Sequence, residues 1–245
     1  MQLLKVEGIV ISETNYSESS KILNVFTKEF GRIGVLSKGC RNLKSRLRSV
    51  SNKLVYGFFH IYYKENGLST LISVDIIDSF TKILTDLNSI TYSSYLLELV
   101  DQVSKQTTDK DLFKVTIQTL KKINEGYDPL ILTNILELKA LSYLGVQPMI
   151  DACSICGSSK SILTIDSTSG GYVCSFCHTN QKIVSDKTIK LIRMFYYVDI
   201  AKITKLSVSK NILKEIDEFI NDYYDRYTGI YLKSKKFLKN LSRVT

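Results

Sequence analysis

Apolar positions along this 245-residue chain change their period near residue 80. Up to there the spacing is that of strands. VEGIVISET, KILNVFT, RIGVLSKG, LVYGFFHIYYK and LSTLISVDIID are punctuated by the turn-forming NYSES, KEFG and KENG. In the last run the alternation predicts Thr70, Ile72, Val74 and Ile76 on one face, with Ser69, Ser73 and Asp75 on the other. The fourth run is apolar or aromatic on both faces, as in a strand covered on both sides. Five strands with almost no helical periodicity between them predict a small barrel or sandwich over residues 1–80.

From Thr81 the apolar residues recur every three or four positions, in SSYLLELVDQV, DLFKVTIQTLKKI and PLILTNILELKALSYL. Asp128-Pro129 is a helix start, a capping side chain followed by a proline in the first turn, and Gly145 suits the C-cap. Two further helices are predicted in SDKTIKLIRMFYYV and SKNILKEIDEFINDYYDRYTG. In the second, Ile212, Leu213, Ile216, Phe219, Ile220, Tyr223, Tyr224 and Tyr227 form one broad apolar stripe, read as bundle core. Residues 81–245 are therefore expected to be a helical domain, interrupted over 150–180 by a module of different character.

That module holds four of the five cysteines, as Cys153-x-x-Cys156, a 17-residue spacer, and Cys174-x-x-Cys177. A two-residue gap lets both sulfurs of a knuckle face one ion, and two knuckles supply the four thiolates of a closed structural zinc site. ILTIDSTSGGYV in the spacer reads as two short strands around a turn at Gly170 and Gly171, which returns the second knuckle to the first. CSFCH also spells a c-type haem attachment signature, which would use His178 as axial ligand but leave Cys153 and Cys156 without a role. A thioredoxin-like dithiol needs one CxxC at a helix start in a βαβ pattern, which is absent. One structural zinc ion on Cys153, Cys156, Cys174 and Cys177 is the expectation, with His178 beside it. Cys40 stands alone and is expected to be a semi-buried small residue.

The first twenty residues break any signal-peptide apolar core, and no run of 18 apolar residues occurs, so a cytoplasmic protein without a membrane partner is expected. The net charge of +9 is unevenly spread: between Glu29 and Glu65 there is no acid, while Arg32, Lys38, Arg41, Lys44, Arg46, Arg48, Lys53 and Lys64 are basic. Most lie in SKGCRNLKSRLRSV. A polyanion track is expected there, with Arg32, Lys38, Arg41, Lys44, Arg46, Arg48 and Lys53 as phosphate contacts. Tyr62 and Tyr63 are open candidates for base stacking, whereas Phe58 and Phe59 are expected in the core. KSKKFLKNLSR, from Lys233 to Arg243, either extends the track or is a solvated final helix.

GIVISETNYSESSKILNVFTKEFGRIGVLSKGCRNLKSR, SSYLLELVDQV, LSYLGVQPMIDACSICG and GGYVCSFC together resemble the bacterial RecO family of recombination mediators, in order and over nearly the whole chain. The resemblance implies an α+β protein with an N-terminal five-stranded OB-fold barrel, a helical domain and an inserted four-cysteine zinc-ribbon-like module. It also implies binding of single- and double-stranded DNA, annealing, association with RecR and the acidic C-terminal tail of single-stranded DNA-binding protein (SSB), and indirect help to RecA loading at the nucleoid. Lys38, Arg41, Lys44 and Arg46 match the family's basic DNA-contacting loop. Leu43 stands where a proline is common and Val146 where an aromatic is common, both local departures. Some relatives lack the cysteines, which makes the zinc architectural. For the SSB tail, Lys187, Lys190 and Arg193 beside Ile192 and Phe195 are candidates for a pocket.

Two other classes share parts of this pattern. A zinc-ribbon transcription or translation factor would have the metal module and the charge. An enzyme would need more: His60 and His178 are the only imidazoles, neither in a triad context, and GSSKS lacks phosphate-loop spacing. No enzymatic activity is expected.

Overall fold

The computed structural model describes residues 2–107, 109–235 and 238. The strand-period segment forms β1 (Gln2–Tyr16), β2 (Ser20–Thr27), β3 (Gly31–Ser37), β4 (Tyr56–Tyr63) and β5 (Ser69–Asp78), a closed barrel in the order β1-β2-β3-β5-β4. β1 is long because it serves two neighbours: Gln2–Ile9 pair with β4 and Gly8–Tyr16 with β2, both antiparallel. A parallel pairing of Val35 with Ser69 and Leu36 with Thr70 joins β3 to β5 and closes the ring. Only these two residue pairs form the seam, so it is the shortest of the barrel's pairings. Val6, Val10, Leu23, Val25, Val35, Phe59, Ile61 and Leu71 fill the interior.

Two expectations from alternation are corrected here. On β5, Leu71 is 4% exposed and lines the core, whereas Ile72 and Ile76 are 40% and 52% exposed. The cause is a bulge: Ile61 pairs with Leu71 but His60 with Ser73, so Ile72 is an extra residue. One inserted residue switches the inward phase of a period-2 strand, and Leu71 before it and Val74 after it both pack on the core. On β4, Phe59 and Ile61 point inward, and on the outer face Tyr56 is buried where it stacks on Phe80, centroids 6.0 Å apart. Phe58 is half-buried beneath the Lys5 ammonium, 4.7 Å from its ring, and is not core; Tyr62 is exposed.

Helices α1 (Thr81–Thr85), α2 (Leu87–Val103) and α3 (Lys110–Glu125) follow. With the barrel and Leu232–Lys235 they form one compact unit; Gly126–Tyr231 form a second. The chain passes from the first unit to the second after Glu125. Phe26 meets Phe113 of α3 edge to face at 5.5 Å, and Ile9 and Ile11 of β1, the strand on which α2 packs, are fully buried. A strand buried on both faces needs a cover, and these helices supply it.

The second unit contains α4 (Pro129–Tyr143), β6 (Met149–Cys153), β7 (Ile162–Asp166), β8 (Gly171–Cys174), α5 (Asp186–Tyr197) and α6 (Lys210–Tyr227). The Asp128 carboxylate caps α4 by accepting from the Leu130 and Ile131 amides. At its other end Gly145, at φ 71°, donates to the Ser142 carbonyl while Val146 donates to that of Leu141, the left-handed glycine stop. α6 buries Leu213, Ile216, Phe219, Ile220, Tyr223 and Tyr224 of its apolar stripe, and the Tyr224 hydroxyl donates 2.9 Å to the Glu137 carbonyl. No helix among the described residues is long and apolar enough to cross a membrane.

Candidate nucleic-acid interface and metal centre

The chain between β3 and β4 carries most of the predicted cations and has no regular secondary structure, yet it is tightly held. Consecutive turns bond Asn42 to Gly39, Ser45 to Asn42 and Arg48 to Ser45 through the backbone. Cys40, Val50, Ser51 and Leu54 are buried, and Leu47 packs on the barrel core. The Ser37 and Ser51 hydroxyls meet at 2.7 Å, and the Lys21 ammonium donates to the Ser51 carbonyl, Asn52 Oδ1 and Glu13 Oε1 at 3.1, 3.0 and 2.8 Å. With those positions turned inward, Lys38, Arg41, Lys44, Arg46 and Arg48 are exposed. Among the described residues none of these five pairs with a carboxylate; Arg41 only donates to the Ser17 carbonyl at 3.3 Å. Leu43, 82% exposed between them, is the most open aliphatic side chain of the loop.

Arg32 and Lys53 are placed differently, because α2 presents carboxylates to them. Arg32 donates to Asp101 at 2.6 Å, with both groups largely covered. Lys53 reaches the Ser94 carbonyl at 3.1 Å; burial lowers its pKa, against the raising fields of Glu98, Asp101 and Glu13. These two cations fasten α2 to the barrel instead of facing solvent. Arg32→Ala is accordingly expected to cost about 1 kcal/mol of stability, the pair being partly solvent-screened, and to leave the salt dependence of DNA binding unchanged. Chemical denaturation and binding titrations on the same sample separate the two effects. Glu98 and Asp101 escape sequence reasoning because 45 and more residues separate them from Arg32 and Lys53, beyond any helical or strand period.

In the second unit the four-cysteine expectation becomes a single cluster. The Sγ atoms of Cys153, Cys156, Cys174 and Cys177 all lie within 4.8 Å of one another, and those of Cys156 and Cys174 are 3.7 Å apart. Two thiolates on a tetrahedral ion at about 2.3 Å are separated by about 3.8 Å, so the cluster fits a four-coordinate metal ion. β8 pairs antiparallel with β7 and parallel with β6, and this sheet brings the knuckles together. Burial would raise the Cys153 pKa, but amides of Cys156, Cys174 and Ile155 aimed at its sulfur lower it to about 6. Cys177 is pushed up to about 12 by its hydrogen bond with Cys156 and by desolvation. A thiolate forms readily on one sulfur and is opposed on its neighbour, a conflict that a bound cation removes. His178 Nε2 donates 2.9 Å to the Gln181 carbonyl and is not turned to a sulfur.

Gly171 makes that sheet possible. At φ 152° its backbone lies so close to β6 that a Cβ would meet the Met149 oxygen at 2.1 Å. Gly171→Ala must therefore push β6 from β8 and is expected to lose metal retention together with thermal stability, measured by metal content after dialysis and by melting.

Other candidates disperse. Tyr62 is exposed, but Tyr63 is stacked on Phe30 at 4.7 Å. Lys187 and Lys190 are exposed and Arg193 is paired with Asp151 at 2.9 Å, while Ile192 and Phe195 are fully buried and offer no apolar floor for a peptide. Of the basic segment 233–243, only Lys233–Lys235 and Leu238 lie within the described residues.

The chain thus combines a five-stranded barrel bearing an outward cationic loop with a second unit that carries a four-thiol cluster. Residues 1–80 match the family described as recombination protein O N terminal, and residues 84–236 the one described as recombination protein O C terminal. The chain is similar to proteins named DNA repair protein RecO from Listeria monocytogenes serotype 4b, 37% identical over 98% of this chain and 95% of the relative. It is equally similar to that of Bacillus cytotoxicus, at 37% over 98% of both chains. This chain belongs to the recombination protein O family of DNA repair and recombination proteins.

Proposed function

We propose that this protein is a recombination mediator that binds single- and double-stranded DNA without sequence preference and brings complementary strands together. The observation carrying this reading is the pinned loop whose inward residues are apolar or hydrogen-bonded and whose outward Lys38, Arg41, Lys44, Arg46 and Arg48 have no carboxylate partner among the described residues. Cations held on an ordered scaffold can neutralise phosphates of two strands at once, which lowers the repulsion that slows pairing. In this reading residues 1–80 are the nucleic-acid-binding domain and residues 81–245 the body that carries the metal module. No covalent bond is made or broken.

Cys153, Cys156, Cys174 and Cys177 would hold one zinc ion, which supplies folding free energy and no open coordination position for catalysis. Family membership supports RecR, the acidic tail of SSB and, indirectly, RecA as partners at the bacterial nucleoid in the cytoplasm. The test is annealing of short complementary strands coated with SSB, without nucleotide. Acceleration by the wild-type protein, lost with Arg41, Lys44 and Arg46 replaced by alanine, supports this function; no acceleration refutes it.

A further inference from the structure

The basic loop turns its apolar residues inward with one exception. Cys40, Val50 and Leu54 are 2%, 8% and 5% exposed, and Leu47 packs on the barrel core. Leu43 is 82% exposed, more than any other large aliphatic side chain among the described residues. It is the second residue of the turn in which the Ser45 amide donates to the Asn42 carbonyl at 3.0 Å, and the turn before it closes from Asn42 to Gly39 at 3.1 Å. The Arg41 amide donates to the Ser19 carbonyl at 2.8 Å and the Gly39 amide to the Ser20 hydroxyl at 3.2 Å, which ties this corner to the barrel between β1 and β2. Leu43 therefore stands on a held corner of the chain.

A single exposed leucine is ordinary on a protein surface. What sets this one apart is its company. Arg41, Lys44, Arg46 and Arg48 surround it in sequence, all exposed and without a carboxylate partner among the described residues. Cations that draw a phosphate backbone onto the loop bring the bases of the same strand to that corner. Apolar side chains presented in this way enter between bases and part their stacking. Burying a leucine side chain corresponds to a factor of about 10 to 150 in affinity, and parting one base step costs a factor of about 3 to 40. Entry thus wins where stacking is weak and comes close to even where it is strong. On intact duplex the lost pairing adds to the cost, so single strands are the favoured host.

We infer that Leu43 is a wedge that enters the base stack of a bound single strand while the surrounding lysine and arginines hold its phosphates. This deepens the proposed function and rests on the loop being the phosphate-contacting element. It adds a preference for weakly stacked strands, with no base edge read.

The test uses the full-length protein and three probes: oligo-dT, oligo-dA, and a mixed strand carrying 2-aminopurine, whose fluorescence rises when it is unstacked. Leu43→Ala is expected to bind the weakly stacked oligo-dT about 10-fold less tightly and the strongly stacked oligo-dA with nearly unchanged affinity. It also loses the fluorescence rise that the wild type gives at saturation. Its salt slope stays that of the wild type, because no charge is removed. Leu43→Met, still apolar and of similar volume, keeps both the affinity and the rise. A Leu43→Ala variant with wild-type affinity for oligo-dT overturns the inference, and so does one that binds weakly yet still unstacks the 2-aminopurine. The variant with Arg41, Lys44 and Arg46 replaced by alanine tells the two levels apart. If its salt slope falls while Leu43→Ala behaves as the wild type, the wedge fails and the loop stands as the phosphate site. If its slope is that of the wild type, the loop site fails and the wedge with it.

Discussion

Replacing Arg41, Lys44 and Arg46 together by alanine is expected to flatten the salt dependence of DNA binding by about 2 in log-log slope on single strands and about 2.7 on duplex. Over a fourfold rise in salt this means about 20- to 40-fold less loss of affinity than the wild type suffers. The size follows from counterion release: each neutralised phosphate liberates condensed cations, and three contacts disappear together. Stability should be untouched, since all three side chains are exposed and the loop is held by Cys40, Leu47, Ser51 and Leu54. Fluorescence anisotropy across a salt series reads the slope directly. An unchanged slope in a folded variant would place the phosphate contacts elsewhere on the molecule.

The second large effect lies in the other unit. Chelation, or Cys174→Ala, is expected to unfold the segment around β6, β7 and β8 while the barrel unit keeps its fold and its DNA affinity. Those strands are four or five residues long, a sheet too small to be stable alone. Binding free energy in small four-ligand zinc modules is on the order of 10 kcal/mol, enough to decide whether such a sheet exists. Purified protein should hold one zinc per chain. Limited proteolysis with chelator should cut between Met149 and Ile183 while leaving residues up to Glu125 intact; equal resistance with and without metal would show that the sheet stands without it.

Much of this was legible along the chain because the responsible forces are local. The period change near residue 80, the Asp128-Pro129 start, the Gly145 stop, the α6 stripe and the two knuckles each depend on residues within a few positions of one another. The hairpin around Gly170 and Gly171 was readable for the same reason, but bringing Cys174 to Cys153 also takes the parallel pairing of β8 with β6. Alternation failed on β5 because a bulge is decided by the partner strand, and Ile72 carries no mark of being the extra residue. Phe58 failed similarly, since which part of β4's outer face is covered depends on where the distant chain around Phe80 lies.

For the basic segment, local sequence determined composition and tertiary structure determined use. The seven cations from Arg32 to Lys53 look alike as text. Folding brings Asp101 and Glu98 of α2 up to two of them, Arg32 and Lys53, and leaves Lys38, Arg41, Lys44, Arg46 and Arg48 facing water. Nor could Lys233 and Ser234 be placed beside Glu98 from sequence, since 135 and 136 residues separate them. Short-range chemistry writes the elements and the metal site into the sequence; whether a charge is a tether or a contact is settled by what long-range packing sets beside it.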